Sequence, residues 1–187
     1  MNELSQLLPA IRQISIAAGA EILAIYQQPQ LLQVAHKADD SPLTAADLAA
    51  HQLIMRELAA LTPDIPVLSE EAADIPWTVR QHWQRYWLVD PLDGTKEFIK
   101  RNGEFTVNIA LIVAGEPVLG VIHAPVLQKT YSAVLGLGAF VAELDAQGQT
   151  QSRVIQAKKP VAGEPVKIVG SRSHAQPGMD EILALYP

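Results

Sequence analysis

The chain has 187 residues, of which 49% are hydrophobic and 18% charged, so it can bury a core and is not expected to be disordered. Its net charge of −6 argues against a nucleic-acid polymer as partner, but not against a small anionic substrate whose charge a bound metal offsets. The absence of cysteine excludes disulfides, a thiolate zinc site and a cysteine nucleophile.

Two helices are predicted in the first third of the chain. Apolar residues recur at three- and four-residue steps from Leu4 to Ile25, which predicts an amphipathic helix. The polar stretch from His36 to Pro42 indicates a loop or a turn. Thr44 then starts a second helix that continues toward Pro63, with Asp47 at the spacing of a capping box.

Short apolar runs separated by turn signals predict a sheet after the second helix. A strand over residues 66–68 precedes Glu70, residues 72–85 are predicted irregular, and a strand ends at Asp90. A short helix follows from Lys96 to Lys100. The remaining predicted strands are 105–113, 117–123, 129–134, 138–141, 153–156 and 166–169, and a last helix starts at residue 179. This order predicts an α+β fold, with N-terminal helices packed on a mixed or antiparallel sheet.

The most informative segment is the motif Asp90-Pro91-Leu92-Asp93-Gly94-Thr95. It places two carboxylates around a tight turn at the end of an apolar strand, because Pro91 fixes φ and Gly94 permits a tight backbone. Buried carboxylates are unfavourable unless a cation neutralises them, and oxygen ligands suit Mg²⁺, Mn²⁺ or Ca²⁺. A helix that begins directly after them offers backbone amides to a phosphate.

The expected metal ligands are the carboxylates of Glu70, Asp90 and Asp93 and the carbonyl of Leu92. All four fall at the ends of predicted elements, where they can converge. Two metal ions about 3.5–4 Å apart can activate a water and stabilise the leaving oxygen of a phosphate ester. We therefore expect two or more cations, with Glu70, Leu92 and Asp93 also close to the substrate.

Thr95 has two expected roles. Its hydroxyl can pass a proton from the attacking water to Asp47, which makes both residues catalytic. The alternative for Asp47 is a purely structural one, as the capping-box partner of the second helix. The backbone amides of Gly94 and Thr95 are expected to hold phosphate oxygens.

The motif resembles that of the inositol monophosphatase family of magnesium-dependent, lithium-sensitive phosphatases, together with Glu70-Glu71 and Thr44-Ala-Ala-Asp47. This resemblance implies the sugar-phosphatase fold, an αβαβα sandwich in the intact family member. It implies that the first Glu of the pair and the motif aspartates bind metal, and that Asp47 accepts the relayed proton. It also implies direct attack of water on a phosphate monoester, without a covalent intermediate.

Within that family, the segments 93–98 and 103–110 look like the 3′(2′),5′-bisphosphate nucleotidase branch. This implies hydrolysis of the 3′-phosphate of adenosine 3′,5′-bisphosphate to AMP and phosphate, which recycles a by-product of sulfur assimilation. It also implies Mg²⁺ as cofactor, Mn²⁺ as a substitute, and inhibition by Ca²⁺ and Li⁺. A Ser/Thr-Arg-Ser-His segment contacts the nucleotide in that branch, which assigns substrate contacts to Ser171 and His174.

One part of the family pattern is absent from this sequence. The family has a further metal aspartate in a later Trp-Asp pair, whereas Trp77, Trp83 and Trp87 precede Thr, Gln and Leu. We therefore expect residues 1–157 to form a metal-binding phosphatase domain and residues 158–187 to begin a C-terminally truncated α/β domain. Whether these 187 residues suffice for activity stays open at this point.

Several alternatives remain open on the sequence alone. The chain could be an inositol monophosphatase-like sugar phosphatase, a non-catalytic fragment that binds metal and nucleotide, or a fragment unable to fold independently. The amino terminus lacks the basic region and continuous apolar run of a signal peptide, and no apolar run suggests a membrane span. We expect a cytoplasmic protein, with peripheral membrane association and the oligomeric state undecided.

Overall fold

The computed structural model describes residues 3–28, 34–36, 42–72, 75–145, 147–159, 161, 163–165 and 178–185. Its helices are α1 (Glu3–Tyr26), α2 (Ala45–Leu61), α3 (Trp77–Arg80), α4 (Thr95–Lys100) and α5 (Met179–Ala184). Its strands are β1 (Val34–His36), β2 (Pro42–Thr44), β3 (Val67–Ser69), β4 (Arg85–Asp93), β5 (Thr106–Val113), β6 (Glu116–Ala124), β7 (Lys129–Val134), β8 (Gly138–Leu144) and β9 (Thr150–Ile155).

Seven strands, β3 to β9, form one mixed sheet in which their spatial order is their order along the chain. β3 runs parallel to β4, and every later neighbour is antiparallel. β1 and β2 form a separate antiparallel pair. The helix α1 packs on β5, β6 and β7, while α2 packs on α1 and β4. The predicted α+β fold, with N-terminal helices on a mixed sheet, is thereby confirmed.

The hydrophobic core lies between these two helices and one face of the sheet. Strand β5 shows how the pattern arises, because successive side chains of a strand point to opposite faces. Val107, Ile109 and Leu111 are at most 1% exposed, whereas Asn108 and Ala110 lie on the other face and are partly exposed. Asn108 therefore lies on the face of the sheet that is opposite to the core.

The helix α1 is long and apolar enough to cross a membrane by length and composition alone, with a mean hydropathy of 1.4. Its apolar side packs in the core, where Ile11, Ala18 and Ile22 have 0% exposed surface. Packing against the sheet accounts for this composition, so α1 is not clear evidence of a membrane span.

The chain divides into two compact units, Met1–Ile155 and Gln156–Pro187. The first contains the helices α1 to α4 and all nine strands given above. The second contains α5, in agreement with the predicted start of a helix at residue 179. The predicted strand over residues 166–169 lies outside the described residues, and the assignment of two domains by function stays a prediction.

Two local predictions differ from the structure. The strand expected to end at Asp90 continues to Asp93, with a bulge where a tight turn was expected. Residues 77–80 form the single turn α3, where irregular structure was expected. None of its residues is buried, and Trp77 is 65% exposed, with the Arg80 guanidinium 5.6 Å from its ring centre. The first and last residues of the predicted loop, His36 and Pro42, belong to β1 and β2, and residues 37–41 lie outside the described residues.

Candidate active site

A β-bulge brings the two motif aspartates to one face of the sheet. Asp90 pairs with Asn108 and Asp93 pairs with Thr106, so three steps along β4 oppose only two along β5. Asn108 and Thr106 are two residues apart and share a face. The extra residue in β4 therefore allows Asp90 and Asp93, which are three residues apart, to meet on that face.

Among the acids expected at the site, Asp90 has the most strongly shifted pKa. Its Oδ1 atom is buried without a hydrogen-bond partner. The pKa of Asp90 is raised to about 8, first by burial and then by the charges of Glu70 and Asp93 and a hydrogen bond with the Glu70 side chain. A hydrogen bond from the Leu92 backbone opposes this shift. A carboxyl group with a raised pKa beside other carboxylates is a suitable ligand for a hard divalent cation, because the cation can take the place of the proton.

These residues do not form a preassembled metal cluster. Across the ranges given above, no three His, Cys, Asp or Glu side chains are arranged as a ready metal site. The structure does place Glu70 and Asp93 close enough to Asp90 for their charges to raise its pKa. The assignment of Glu70, Asp90, Leu92 and Asp93 as metal ligands therefore stays a prediction that the electrostatics of Asp90 support.

Asp47 combines both roles considered for it from the sequence. Its Oδ2 atom accepts a hydrogen bond of 2.8 Å from the Thr44 amide, and the Thr44 hydroxyl accepts one of 3.2 Å from the Ala46 amide, which completes a capping box. Its second oxygen, Oδ1, accepts a hydrogen bond of 3.0 Å from the hydroxyl of Thr95. One carboxylate therefore caps α2 and contacts the motif threonine.

The environment of Asp47 makes it a better proton acceptor than an ordinary aspartate. The side chain has 0% exposed surface, and this burial raises its pKa, although hydrogen bonds from Thr44 and Thr95 act in the opposite direction. A raised pKa strengthens a carboxylate as a general base near neutral pH. The contact needed for a proton relay through Thr95 is thus present, while the relay itself stays a prediction.

Gly94 sets the start of α4 and admits no side chain. It is the N-cap of α4 with φ +98°, a region that favours glycine, and it makes no side-chain cap. A Cβ atom there would lie 2.9 Å from the carbonyl oxygen of Glu104 and 3.3 Å from Phe105. The close approach of these two segments fixes the position from which α4, and with it Thr95, begins.

An aromatic cluster holds α4 in place. The ring centroids of Phe98 and Phe105 are 5.4 Å apart, and the ring of Tyr26 lies 5.2 Å from the first and 5.1 Å from the second. Phe98 is 2% exposed and Phe105 is 1% exposed. Because Tyr26 ends α1, the cluster connects the first helix to the helix that carries Thr95.

Two polar contacts of the site were missed from the sequence. His51 Nδ1 lies 2.9 Å from the Ser69 hydroxyl, directly before Glu70, whereas no role was expected for this histidine. The Asn108 side chain donates a 3.1 Å hydrogen bond to Asp93 Oδ2. The available signal for His51 was its position one helical turn after Asp47. Asn108 has no comparable local signal, because its contact depends on how β4 and β5 pair.

The comparison with known proteins is unambiguous at the level of family. Residues 3–184 match the inositol monophosphatase family. The chain belongs to this family. The 3′(2′),5′-bisphosphate nucleotidase CysQ of Escherichia coli strain K12 is 54% identical over 178 residues, which are 95% of this chain and 68% of that protein. The same identity and coverage hold for CysQ of Salmonella typhimurium strain LT2.

Solved structures confirm the family fold. CysQ from Bacteroides thetaiotaomicron, a bacterial member of the inositol monophosphatase family, has a TM-score of 0.71 and 39% identity over 97% of this chain and 68% of its own. The extragenic suppressor protein suhB of Bartonella henselae has a TM-score of 0.66 and 33% identity over 73% of this chain and 52% of its own. The resemblance inferred from the motif is thus confirmed, and this family member spans about two thirds of its CysQ relatives.

Two expected substrate contacts of this family member cannot be placed. Ser171 and His174 lie outside the described residues. The other expected site residues belong to the first compact unit, where α2, the end of β3, the bulge of β4 and the start of α4 supply them.

Proposed function

We propose that this protein is a Mg²⁺-dependent phosphatase that removes the 3′-phosphate of adenosine 3′,5′-bisphosphate, giving AMP and phosphate. The observation that carries the proposal is the 54% identity to CysQ nucleotidases over 95% of the chain. The contact between Asp47 and Thr95 and the perturbed Asp90 support it, because a water-activating pair and a cation site are what this reaction needs.

The metal-binding role falls to Glu70, Asp90, Asp93 and the carbonyl of Leu92. Bound there, Mg²⁺ supplies positive charge that offsets the charge developing on the phosphate oxygens. The carboxylates that now raise the pKa of Asp90 supply the negative field that attracts such a cation. Mn²⁺ is the expected substitute, and Ca²⁺ and Li⁺ the expected inhibitors.

The proton is handled by Thr95 and Asp47. The Thr95 hydroxyl orients the attacking water and passes its proton to Asp47 Oδ1, which lies 3.0 Å from the Thr95 oxygen. The water oxygen then bonds to phosphorus while the bond from phosphorus to the 3′ oxygen breaks. The leaving oxygen takes up a proton from solvent, and Asp47 returns its proton to solvent. The amides of Gly94 and Thr95 hold the phosphate, and no covalent enzyme intermediate forms.

The remaining features of the proposal rest on the relatives. Ser171 and His174 are the proposed contacts to the nucleotide, and residues 1–157 the proposed metal-binding domain. The proposed partner is a small nucleotide bisphosphate, and the proposed location is the cytoplasm. Recycling of a sulfur-assimilation by-product is the proposed role, because the CysQ relatives are named as nucleotidases for this class of substrate.

The decisive experiment measures phosphate release from adenosine 3′,5′-bisphosphate by the full chain, with Mg²⁺ and with a chelator. We expect Mg²⁺-dependent release that is lost in Asp93→Asn and retained in Asp64→Asn, an exposed aspartate in the turn after α2. Release from inositol 1-phosphate but not from the nucleotide would contradict the proposed substrate. Saturable calorimetric binding of the nucleotide without phosphate release would favour the non-catalytic alternative.

A further inference from the structure

Two polar side chains of β5 and the second motif aspartate, on β4, form a chain of hydrogen bonds. The Thr106 hydroxyl donates a hydrogen bond of 3.0 Å to Asn108 Oδ1, and Asn108 Nδ2 donates one of 3.1 Å to Asp93 Oδ2. We propose that Asn108 is a positioning residue for Asp93, and that Thr106 fixes the orientation of its amide. This inference rests on the proposed metal-dependent function of the same site.

The direction of the chain follows from the donors and acceptors present. An ionised carboxylate only accepts hydrogen bonds, so the NH₂ group of Asn108 must face Asp93. The amide oxygen then faces Thr106, whose hydroxyl can donate to it. The opposite orientation of the amide would set its oxygen against the carboxylate oxygen, so the carboxylate selects the orientation. Thr106 then holds the amide in that orientation by donating to its oxygen.

Strand pairing places Asn108 beside both aspartates. It lies directly across the ladder from Asp90, while the bulge brings Asp93 within reach of its side chain. Asn108, Glu70 and Asp90 also line one cavity, which has a volume of about 720 Å³. One uncharged side chain thus lies opposite Asp90 and donates to Asp93.

A neutral donor suits this position on electrostatic grounds. The hydrogen bond fixes Asp93 Oδ2 and the plane of its carboxylate without adding charge to a group of three acids. A Lys or Arg at position 108 would compete with a cation for these acids, and an Asp would add repulsion. Removal of a group that orients a metal ligand in this way typically weakens metal binding about 10- to 100-fold.

The test measures Mn²⁺ binding to the full chain by electron paramagnetic resonance, in Asn108→Leu, Thr106→Val and Thr106→Ser. We expect Asn108→Leu to weaken binding by about tenfold or more and Thr106→Val by a smaller factor, as for other residues that orient ligands. Thr106→Ser keeps the hydroxyl and should bind like the parent. Thr150→Val, an exposed change on β9, is the matched control for removal of a strand hydroxyl.

Unchanged Mn²⁺ affinity in Asn108→Leu overturns the proposal, and equal affinities in Thr106→Val and Thr106→Ser overturn the role of Thr106. If Asn108→Leu does not fold, as judged by its thermal midpoint, the two Thr106 variants decide. If the parent binds Mn²⁺ but releases no phosphate, the nucleotidase function is contradicted. The Mn²⁺ affinities of the parent and of Asn108→Leu still test the role of Asn108. A parent without saturable Mn²⁺ binding overturns both.

Discussion

His51 Nδ1 lies 2.9 Å from the hydroxyl of Ser69, so the second turn of α2 is tied to the residue that precedes Glu70. One turn earlier on the same helix, Asp47 accepts the hydrogen bond from Thr95. Residues four apart lie on one face of a helix, so both contacts point to the same side. The helix α2 therefore holds two separate parts of the candidate site at a fixed spacing.

We expect His51→Ala to destabilise the fold and to raise the Mg²⁺ concentration needed for activity. Ser69 is 2% exposed, and a buried hydroxyl that loses its partner destabilises a protein by about 1–3 kcal/mol. Urea unfolding of His51→Ala, Ser69→Ala and the double variant measures this coupling. His82→Ala, an exposed histidine, is the control. Strictly additive effects of the two single changes would contradict a direct contact.

We expect Asp47→Asn to lower kcat by about 10²- to 10⁴-fold, the usual contribution of a general base. Thr95→Val should show a loss of the same kind because it removes the intermediate hydroxyl, while Thr95→Ser should retain most activity. The measurement is kcat for phosphate release at saturating Mg²⁺, with the thermal midpoint recorded in parallel because Asp47 also caps α2. Near-parent kcat in Asp47→Asn would rule out the proton relay.

We expect Gly94→Ala to be more destabilising than Gly115→Ala. Both glycines have positive φ, +98° and +85°, so alanine is strained at either position. Only at Gly94 does a Cβ also meet backbone, at 2.9 Å from the Glu104 oxygen, whereas nothing lies within 4 Å of it at Gly115. The difference between the two thermal midpoints isolates this contact. Equal midpoints would show that the 103–105 segment moves aside without cost.

We expect the titration of His123 to lower stability as the solution is acidified below about pH 6.5, the ordinary histidine pKa, whereas the raised pKa values of Asp90 and Asp47 act in the opposite direction. Burial lowers the pKa of His123 in the folded protein, so the unfolded chain binds more protons in this range. The contribution is present in full above the unfolded pKa and is lost as the pH falls through the lower, folded pKa. Burial lowers the pKa of His51 as well, which adds to the effect.

Urea unfolding between pH 5 and 8 tests this dependence in the parent and in His123→Gln. The slope of the unfolding free energy against pH should be less positive in the variant, because the variant lacks the proton that the unfolded parent binds at His123. A variant whose slope equals that of the parent would show that His123 is not the group responsible.

Local patterns in the sequence sufficed for much of the fold but not for the long-range contacts of the site. The period of apolar residues predicted α1, and the motif predicted a strand that reaches Asp90 and a short helix after it. The bulge that carries β4 on to Asp93 was not predicted. The contact of Asn108 with Asp93 depends on a bulge and a register that no local pattern records. His51 and Ser69 meet only because α2 packs beside β3, and neither residue has a motif of its own.

The place of the candidate site in the sheet has a consequence for backbone oxygens. β3 pairs with β4 only as far as Val89, and Pro91 and Leu92 have no partner in β5. Within β4, the segment between the two aspartates is thus the part that pairs with neither β3 nor β5. The carbonyls of a strand that is paired on both sides accept ladder hydrogen bonds, whereas within the described part of the chain the contact given for the Leu92 oxygen is a long one of 3.4 Å from the Thr95 hydroxyl. The gap in the ladder leaves a main-chain oxygen beside the carboxylates, in a position that no side-chain substitution can remove.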